Sequence, residues 1–461
     1  MSVTPHAYQA RGLRDIGRRL DHLPVGPAHR RVVFAIGLGL FFEVYEIFLS
    51  STIATALTTR YGLDGTALQL LLASSFLGMF FGAAAFGRIA DRIGRRRAFL
   101  LNLVWFSVWS ALGAVAPNPW ILVGARFMAG IGIGAEYPVA DSYLSEVLPK
   151  AHRGRLAAWA YTCSFLAVPA LGFLSLSLTD RSLFGVEGWR VLLLVGAIGA
   201  LVVTALRRGL PESPRWLAGV GRYDEARAAL RTFESGSDPA PEYPTDSDSA
   251  PPAETVRAVA ARKRLSVSPY RRRLIMLGLF HLFQPFGYYG FGTLAVLVLI
   301  SRGYDVTSSL LLTAVSFIGY PLGSLMSIPL LKRFERKYLI MAMVAVMAAS
   351  GVLYATATVQ ACIVVFGLLI TASSNVFSNI YHVYQAEIFP SDVRATAVGW
   401  TYSVSRLSSA ALPFILVPLL ENYGATTMFA AVLLALAATI AVIASLGPRT
   451  SGRSLDEINP T

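Results

Sequence analysis

Charge is what this 461-residue chain has little of: Asp, Glu, Lys and Arg make up only 15% of it, against 54% apolar residues. So sparse a polar surface excludes an ordinary soluble domain. Cysteine is nearly missing as well. The two present, Cys163 and Cys362, sit inside apolar runs without metal-ligating neighbours, which excludes a disulfide framework or a zinc site and leaves them as small buried hydrophobes. No nucleophile–base set, metal spacing or phosphate-binding glycine loop stands outside the apolar runs, so an enzyme is not expected and no metal or organic cofactor is called for. Acid is scarcer than base, 27 residues against 40.

What is present is hydrophobic length. Twelve apolar runs can span a bilayer, at about 32–57, 69–89, 98–117, 119–147, 156–179, 189–206, 274–300, 307–331, 338–357, 359–388, 395–420 and 424–446. The net charge of +13 follows this topology. Arg60, Arg181, Arg190 and Arg302 fall on one side and Arg126 and Arg406 within spans, leaving 34 of the 40 basic residues on the side of the termini and the even-to-odd loops. The positive-inside bias makes that side the cytoplasm. The expectation is a multi-pass protein of the inner (plasma) membrane with both termini cytoplasmic, and its basic excess needs no nucleic acid.

The expected organisation is a cytoplasmic arm at 1–31, a six-helix bundle at 32–206, a cytoplasmic linker at 207–273, a second six-helix bundle at 274–446 and a cytoplasmic tail at 447–461. The arm is polar and Arg-rich, and the run after it is too long for a cleaved signal. Within the linker, Arg222–Phe233 has an amphipathic helical pattern, and the Pro/Ser/Asp-rich stretch 234–254 is too polar to build a core.

The two bundles are copies. Tyr143, Glu146, Pro149, Arg153, Trp159 and Tyr161 recur 241 positions later as Tyr384, Glu387, Pro390, Arg394, Trp400 and Tyr402. The same offset carries Ser75-Phe76 to Ser316-Phe317, Gly78 and Gly82 to Gly319 and Gly323, Arg92 to Arg333, and Phe42-Glu43 to Phe283-Gln284. Fused copies of one helical unit are how many membrane transporters are built.

Charges inside spans are expensive and mark function or fixed pairs. Glu43 and Glu46 lie three apart on one face of span 1. Helix rise puts Glu46 ~22 Å from the cytoplasmic Arg31 and Arg126 ~10 Å from the opposite turn at Pro117–Pro119, levels that nearly coincide in a core ~30 Å thick. A Glu46–Arg126 pair is therefore expected, either as a lock between helices or as a switch. Glu136 can bind substrate or a proton, or hold a bend near Pro138. In span 11 Arg406 lies ~18 Å from Arg394, near the midplane, with no acid in its own span. It can receive a substrate carboxylate bidentately, or pair permanently with an acid of span 1, 4 or 10.

Gly87-Arg-Ile-Ala-Asp91-Arg92-Ile-Gly94-Arg95-Arg96 after span 2 resembles the hallmark loop of the major facilitator superfamily. Arg126-x-x-x-Gly130-x-Gly132-x-Gly134, Tyr143-Leu-Ser-Glu146-Val-Leu-Pro149, Arg153-Gly154, Gly188-Trp189-Arg190 and Pro211-Glu-Ser-Pro-Arg-Trp-Leu217 resemble its sugar-porter and metabolite-proton-symporter branches. The tail Gly452–Glu457 is similar to the tails of those branches. The resemblance implies an all-α fold of twelve transmembrane helices in two pseudo-symmetric bundles, a central substrate site and alternating access.

It also implies roles. Glu46 holds the position of the proton-carrying acid, usually Asp in those branches; Glu43 can do the same job, and Arg126 and Glu136 complete the coupling group. Cytoplasmic salt bridges that break when the bundles tilt would come from Asp91, Arg92, Glu146, Arg153, Glu212 and Arg215 in the first half and Arg333, Glu387 and Arg394 in the second. Lys332 and Glu335 replace Asp91 and Gly94 in the second copy, so latching is expected to be stronger in the first. The substrate pocket draws on His281, Gln284, Tyr288 and Tyr289 of span 7, Asn375 and Asn379 with Tyr381 and His382 of span 10, Arg406, and Tyr45 of span 1. Sugar porters usually carry a double glutamine about ten residues before the paired tyrosines; Gly278 and Leu279 stand there instead. The function expected is import of a small organic acid or related metabolite by proton symport, through a monomer whose partners are substrate, protons and lipid. A drug/proton antiporter, a sugar or polyol symporter and a non-transporting nutrient sensor are the alternatives.

Overall fold

The computed structural model describes residues 16–63, 65–134, 136–178, 181–183, 185–235, 268–389, 391–451 and 458. Side chains at 84, 86–88, 91, 332 and 391–396 lie outside that description, as do most of the Pro/Ser/Asp-rich stretch and the tail motif. The first half contains α1 (Pro27–Tyr61), α2 (Gly65–Ile93), α3 (Arg95–Ala114), α4 (Pro119–Ile133), α5 (Glu136–Val147), α6 (Arg153–Phe165), α7 (Ala167–Leu178) and α8 (Gly188–Arg207), with a short hairpin of β1 (Ser182–Leu183) and β2 (Val186–Glu187) before α8. Two short helices follow, α9 (Pro214–Gly219) and α10 (Tyr223–Glu234). The second half contains α11 (Tyr270–Ser301), α12 (Val306–Phe317), α13 (Gly319–Arg333), α14 (Arg336–Thr356), α15 (Gln360–Glu387) and α16 (Ser391–Leu446).

Twelve spans result, because α4 joins α5, α6 joins α7, α12 joins α13, and Gly424, at φ 81°, divides α16 in two. The ends are set by local chemistry. Asn118 caps α4 by accepting from the Ile121 amide, with Pro119 at its first position, and Asp305 caps α12 through the Ser308 amide. Span 4 breaks after Ile133, upstream of the bend expected at Pro138. Pro138 lies in the first turn of α5, where a missing N–H leaves no bond unmade.

The repeat is a repeat of contacts. A Cβ on Gly78 would overlap the Phe127 carbonyl, and one on Gly82 that of Ile131; in the second copy Gly319 and Gly323 meet the carbonyls of Leu368 and Ala372 in the same way. All four partners obey the 241-residue offset. Glycine here lets α2 lie against α4, and α13 against α15, at backbone distance. The pairs Arg95–Glu146 at 3.0 Å and Arg336–Glu387 at 2.9 Å are likewise offset mates.

The halves meet towards the face opposite the basic loops. Ser51 donates to the Gly292 carbonyl at 3.4 Å, Gly172 packs on Ala314, and Phe48 and Phe165 both rest on Tyr320. Nearer the basic face, among the described residues, only Thr162 and Ser324 hydrogen-bond across, at 2.8 Å. Among the described residues every ion pair lies within one half. Asp141, near the basic-side end of span 4, is exposed beside the Tyr161 hydroxyl that bonds it, which marks a hollow between the halves on the basic side. Cys163 is half-buried against Gly37, whereas Cys362, expected in a core, is exposed on the outside of α15 where lipid covers it.

Gly82→Ala and Gly323→Ala should each cost about 1–3 kcal/mol by overpacking a helix pair, measured as loss of thermal stability of the purified protein. Gly154→Ala, where nothing lies within 4 Å of the added Cβ, should be neutral or slightly stabilising.

Candidate functional site: buried charges between the two halves

Near mid-membrane α1 presents Glu46 to α4. Arg126 pairs with its Oε2 through a short contact, donates to the Glu46 carbonyl and bonds Ser50 Oγ at 3.0 Å, while Ser110 donates to Oε1 at 2.8 Å. Both residues are fully buried. The level predicted from helix rise is the level observed, and every polar atom of the carboxylate is answered.

Two to three turns nearer the basic face, Glu136 faces Arg207 at 2.5 Å, an ion contact whose orientation falls outside hydrogen-bond geometry. Arg207 also donates to the carbonyls of Ala35 and Ile36 at 3.1 and 3.2 Å and lies over the Phe99 ring. Its place at the end of an apolar run reads in sequence as an interfacial cation. The fold buries it, so the basic side carries one arginine fewer than the topological reading assigned.

Glu43 is fully buried, and neither of its carboxyl oxygens has a hydrogen-bond partner among the described residues. Arg406, across the interface, is 2% exposed and makes no ion pair among the described residues. Its guanidinium donates to Tyr289 at 3.0 Å and to Tyr402 at 2.8 Å and lies over the Tyr402 ring. The permanent acid partner considered for Arg406 is therefore not what holds it.

Around Arg406 the second half supplies an aromatic wall. Tyr288 and Tyr289 meet edge to face, Phe76 of α2 packs on Tyr289, and His281 stands edge-on to Tyr381 and Tyr402. Gln284 donates to Ser405 at 3.1 Å and Asn375 to the Tyr320 carbonyl, and neither carboxamide oxygen has a hydrogen-bond partner among the described residues. His281 bonds Gln385 at 3.2 Å, and the amide nitrogen of half-buried Asn379 donates to Ser324 and Ser327, at 3.2 and 2.9 Å. From the first half come Tyr137, stacked on Tyr161, whose hydroxyl donates to Asp141.

Tyr45 is a correction. Its hydroxyl donates to the Leu192 carbonyl at 2.9 Å, inside the first half. Neighbours on a helix point about 100° apart, so with Glu46 aimed at α4, Tyr45 turns to α8 and away from the hollow.

The charge cluster on the basic face is also differently wired. Arg153 and Arg215 both pair with Asp21, at 2.9 and 2.8 Å, on a helical segment (16–22) of the arm that also bonds Glu234 through Arg19. Glu146 pairs with Arg95 and Glu387 with Arg336, neither of them singled out from sequence. Glu212 accepts from the amides of Arg95, Arg96 and Ser213, capping α3; burial raises its carboxyl while those amides pull it down. In the second copy Glu335 does the equivalent work on the amides of Thr450 and Ser451. Arg92 and Arg333 are exposed, and the side chains of Asp91 and Arg394 lie outside the described residues.

Two six-helix halves related by a repeat, closed at one face and hollow at the other around buried charge, define a secondary transporter of the major facilitator superfamily. Residues 32–461 match the family described as Sugar (and other) transporter, and the chain belongs to that family. It is 28% identical to the niacin transporter NiaP of Acinetobacter baylyi over 96% of this chain and 99% of that one. It is also 28% identical to the gentisate transporter of Corynebacterium glutamicum, over 90% and 88%. Among solved structures it resembles the xylose transporter XylE from E. coli in a partially occluded inward open conformation, with a TM-score of 0.73, 20% identity, and 93% and 100% of the two chains covered.

Glu46→Gln should leave Arg126 as an uncompensated buried cation and lower stability by about 3–5 kcal/mol. The double variant Glu46→Gln/Arg126→Gln should recover part of that loss, read as the melting temperature of the three purified proteins.

Proposed function

We propose that this protein imports a small organic acid, an aromatic monocarboxylate in the first instance, by proton symport and alternating access. Under this reading the basic face is cytoplasmic, the hollow opens inward, and the carrier works as a monomer with substrate, protons and lipid as its partners. The observation that carries it is Arg406: a buried guanidinium at the interface of the halves, with no carboxylate of its own among the described residues.

A buried cation held only by hydroxyls is costly, and a carboxylate entering from solution would repay part of that cost through two charge-assisted bonds. Tyrosines beside it supply flat apolar faces for a ring. The free carbonyl oxygens of Gln284 and Asn375 can accept from ring hydroxyl or N–H groups. The names of two relatives, a niacin and a gentisate transporter, point to the same ligand chemistry. Protons enter through the buried acids of α1, which lie in the half opposite Arg406.

Thermal-shift and equilibrium binding against nicotinate, gentisate and xylose test this. The aromatic acids should stabilise the wild type, xylose should not, and Arg406→Ala should weaken acid binding at least tenfold. Stabilisation by xylose alone, or acid binding unchanged in Arg406→Ala, would sink the proposal.

A further inference from the structure

A hydrogen-bonded chain joins α11 to α15 in the second half. His281 bonds Gln385 Oε1 through its Nε2 at 3.2 Å, and Gln385 bonds His382 Nδ1 through its own Nε2 at 3.2 Å. A carboxamide oxygen only accepts and a carboxamide nitrogen only donates. With Gln385 turned this way, His281 carries its hydrogen on Nε2 and His382 accepts on Nδ1. His281 is fully buried and pairs with no acid among the described residues, so its ring stays neutral and its Nδ1 is a bare acceptor. That nitrogen has no hydrogen-bond partner among the described residues. Both donors of the chain point away from it.

The repeat separates this chain from the needs of the scaffold. The offset mates of His281 and Gln385 are Leu40 and Leu144, both buried in one apolar cluster of the first half. The same helical positions are thus filled by leucine where no polar chain runs. Its place in the second half is beside the guanidinium. The rings of His281 and His382 lie 5.7 and 6.1 Å from that of Tyr402, whose hydroxyl accepts from Arg406 at 2.8 Å. One turn along α11 from His281, Gln284 donates to Ser405, the chain neighbour of Arg406, at 3.1 Å. Its oxygen is a second acceptor without a hydrogen-bond partner among the described residues.

Resting on the reading of Arg406 as the carboxylate site, we infer that the substrate is a hydroxylated carboxylic acid, and that Gln385 is the positioning residue that sets the preference for its hydroxyl. The carboxylate faces Arg406, the hydroxyl donates to His281 Nδ1, and a second donor, where the ligand has one, reaches Gln284 Oε1. A ligand without a donor covers these acceptors and leaves them unanswered, a loss that buried sites turn into discrimination. Gln385 itself touches no ligand. By accepting from Nε2 it keeps the proton off Nδ1, and the chain polarises the imidazole so that Nδ1 accepts more strongly. Without Gln385 the proton can sit on either ring nitrogen. His281 can then donate from Nδ1, and an ether oxygen serves the ligand as well as a hydroxyl does.

The experiment is equilibrium binding to purified full-length wild type, His281→Phe, Gln385→Leu and Arg406→Ala, with benzoate and the 3- and 4-substituted hydroxybenzoates and methoxybenzoates as probes. Wild type should bind the better hydroxybenzoate about tenfold or more tightly than benzoate and than the matching methoxybenzoate. In H281F and in Q385L the ratio of hydroxy to methoxy affinity should fall several-fold, a change that a merely structural tie between α11 and α15 would not produce. R406A should weaken every acid and leave that ratio standing. If wild type binds benzoate or the methoxybenzoates as tightly as the hydroxybenzoates, the donor requirement is refuted while the organic-acid reading stands. If wild type shows the preference and both H281F and Q385L keep it in full, the assignment to this chain is refuted. If wild type binds none of these acids, the organic-acid reading itself fails, and this inference with it.

Discussion

Hydrocarbon tolerates a charge only where another charge, or a close set of dipoles, answers it. That constraint shapes the first half of this protein. Arg126 ties α4 to α1 through Glu46, Ser50 and a backbone carbonyl. Arg207 ties α8 to α1 through two more carbonyls while holding Glu136 of α5. Span 1 is thereby the member to which its neighbours are fastened by electrostatics. Among the described residues the second half has no such lattice at its centre; Arg406 rests on tyrosines, and aromatic edges and faces do the packing. A charge-locked half thus faces an aromatic half, and a ligand between them meets acid on one side and base on the other.

Parts of this are legible in the sequence, and the physical reason differs in each case. Helix rise is a rigid ruler, so counting inward from the two faces puts Glu46 and Arg126 at one depth. The glycine pairs of α2 and α13 are legible because only a missing side chain permits such approach, and the duplication prints them twice. The offset also contains the equivalence of Arg95–Glu146 and Arg336–Glu387. Reading the hallmark loop for its acid directs attention to Asp91 and past the arginine that does the pairing.

Other features depend on assembly and leave no local mark. Arg207 ends an apolar run, where a cation ordinarily sits in water; nothing nearby in sequence says that α1 will cover it. Asp21 lies in a polar arm with no periodicity to place it, yet it answers two arginines far along the chain. Tyr45 is adjacent to Glu46, but adjacency on a helix means divergence. The unpartnered carboxyl of Glu43 among the described residues is the least legible of all, since an unanswered group is defined by everything that fails to reach it.

Ser51 and Gly292 are 241 residues apart and touch each other. Equivalent points of two copies can meet only on the line that interchanges those copies, so this bond lies on the molecule's pseudo-dyad. In an ancestor made of two identical chains, that position would have faced its own image and been held to a residue compatible with itself. A fused chain is free of that restriction, and here one side carries a hydroxyl and the other bare backbone. In the alternating-access cycle proposed above, opening of the face opposite the basic loops would act on this contact, at the one place where motion of either half is seen equally by both.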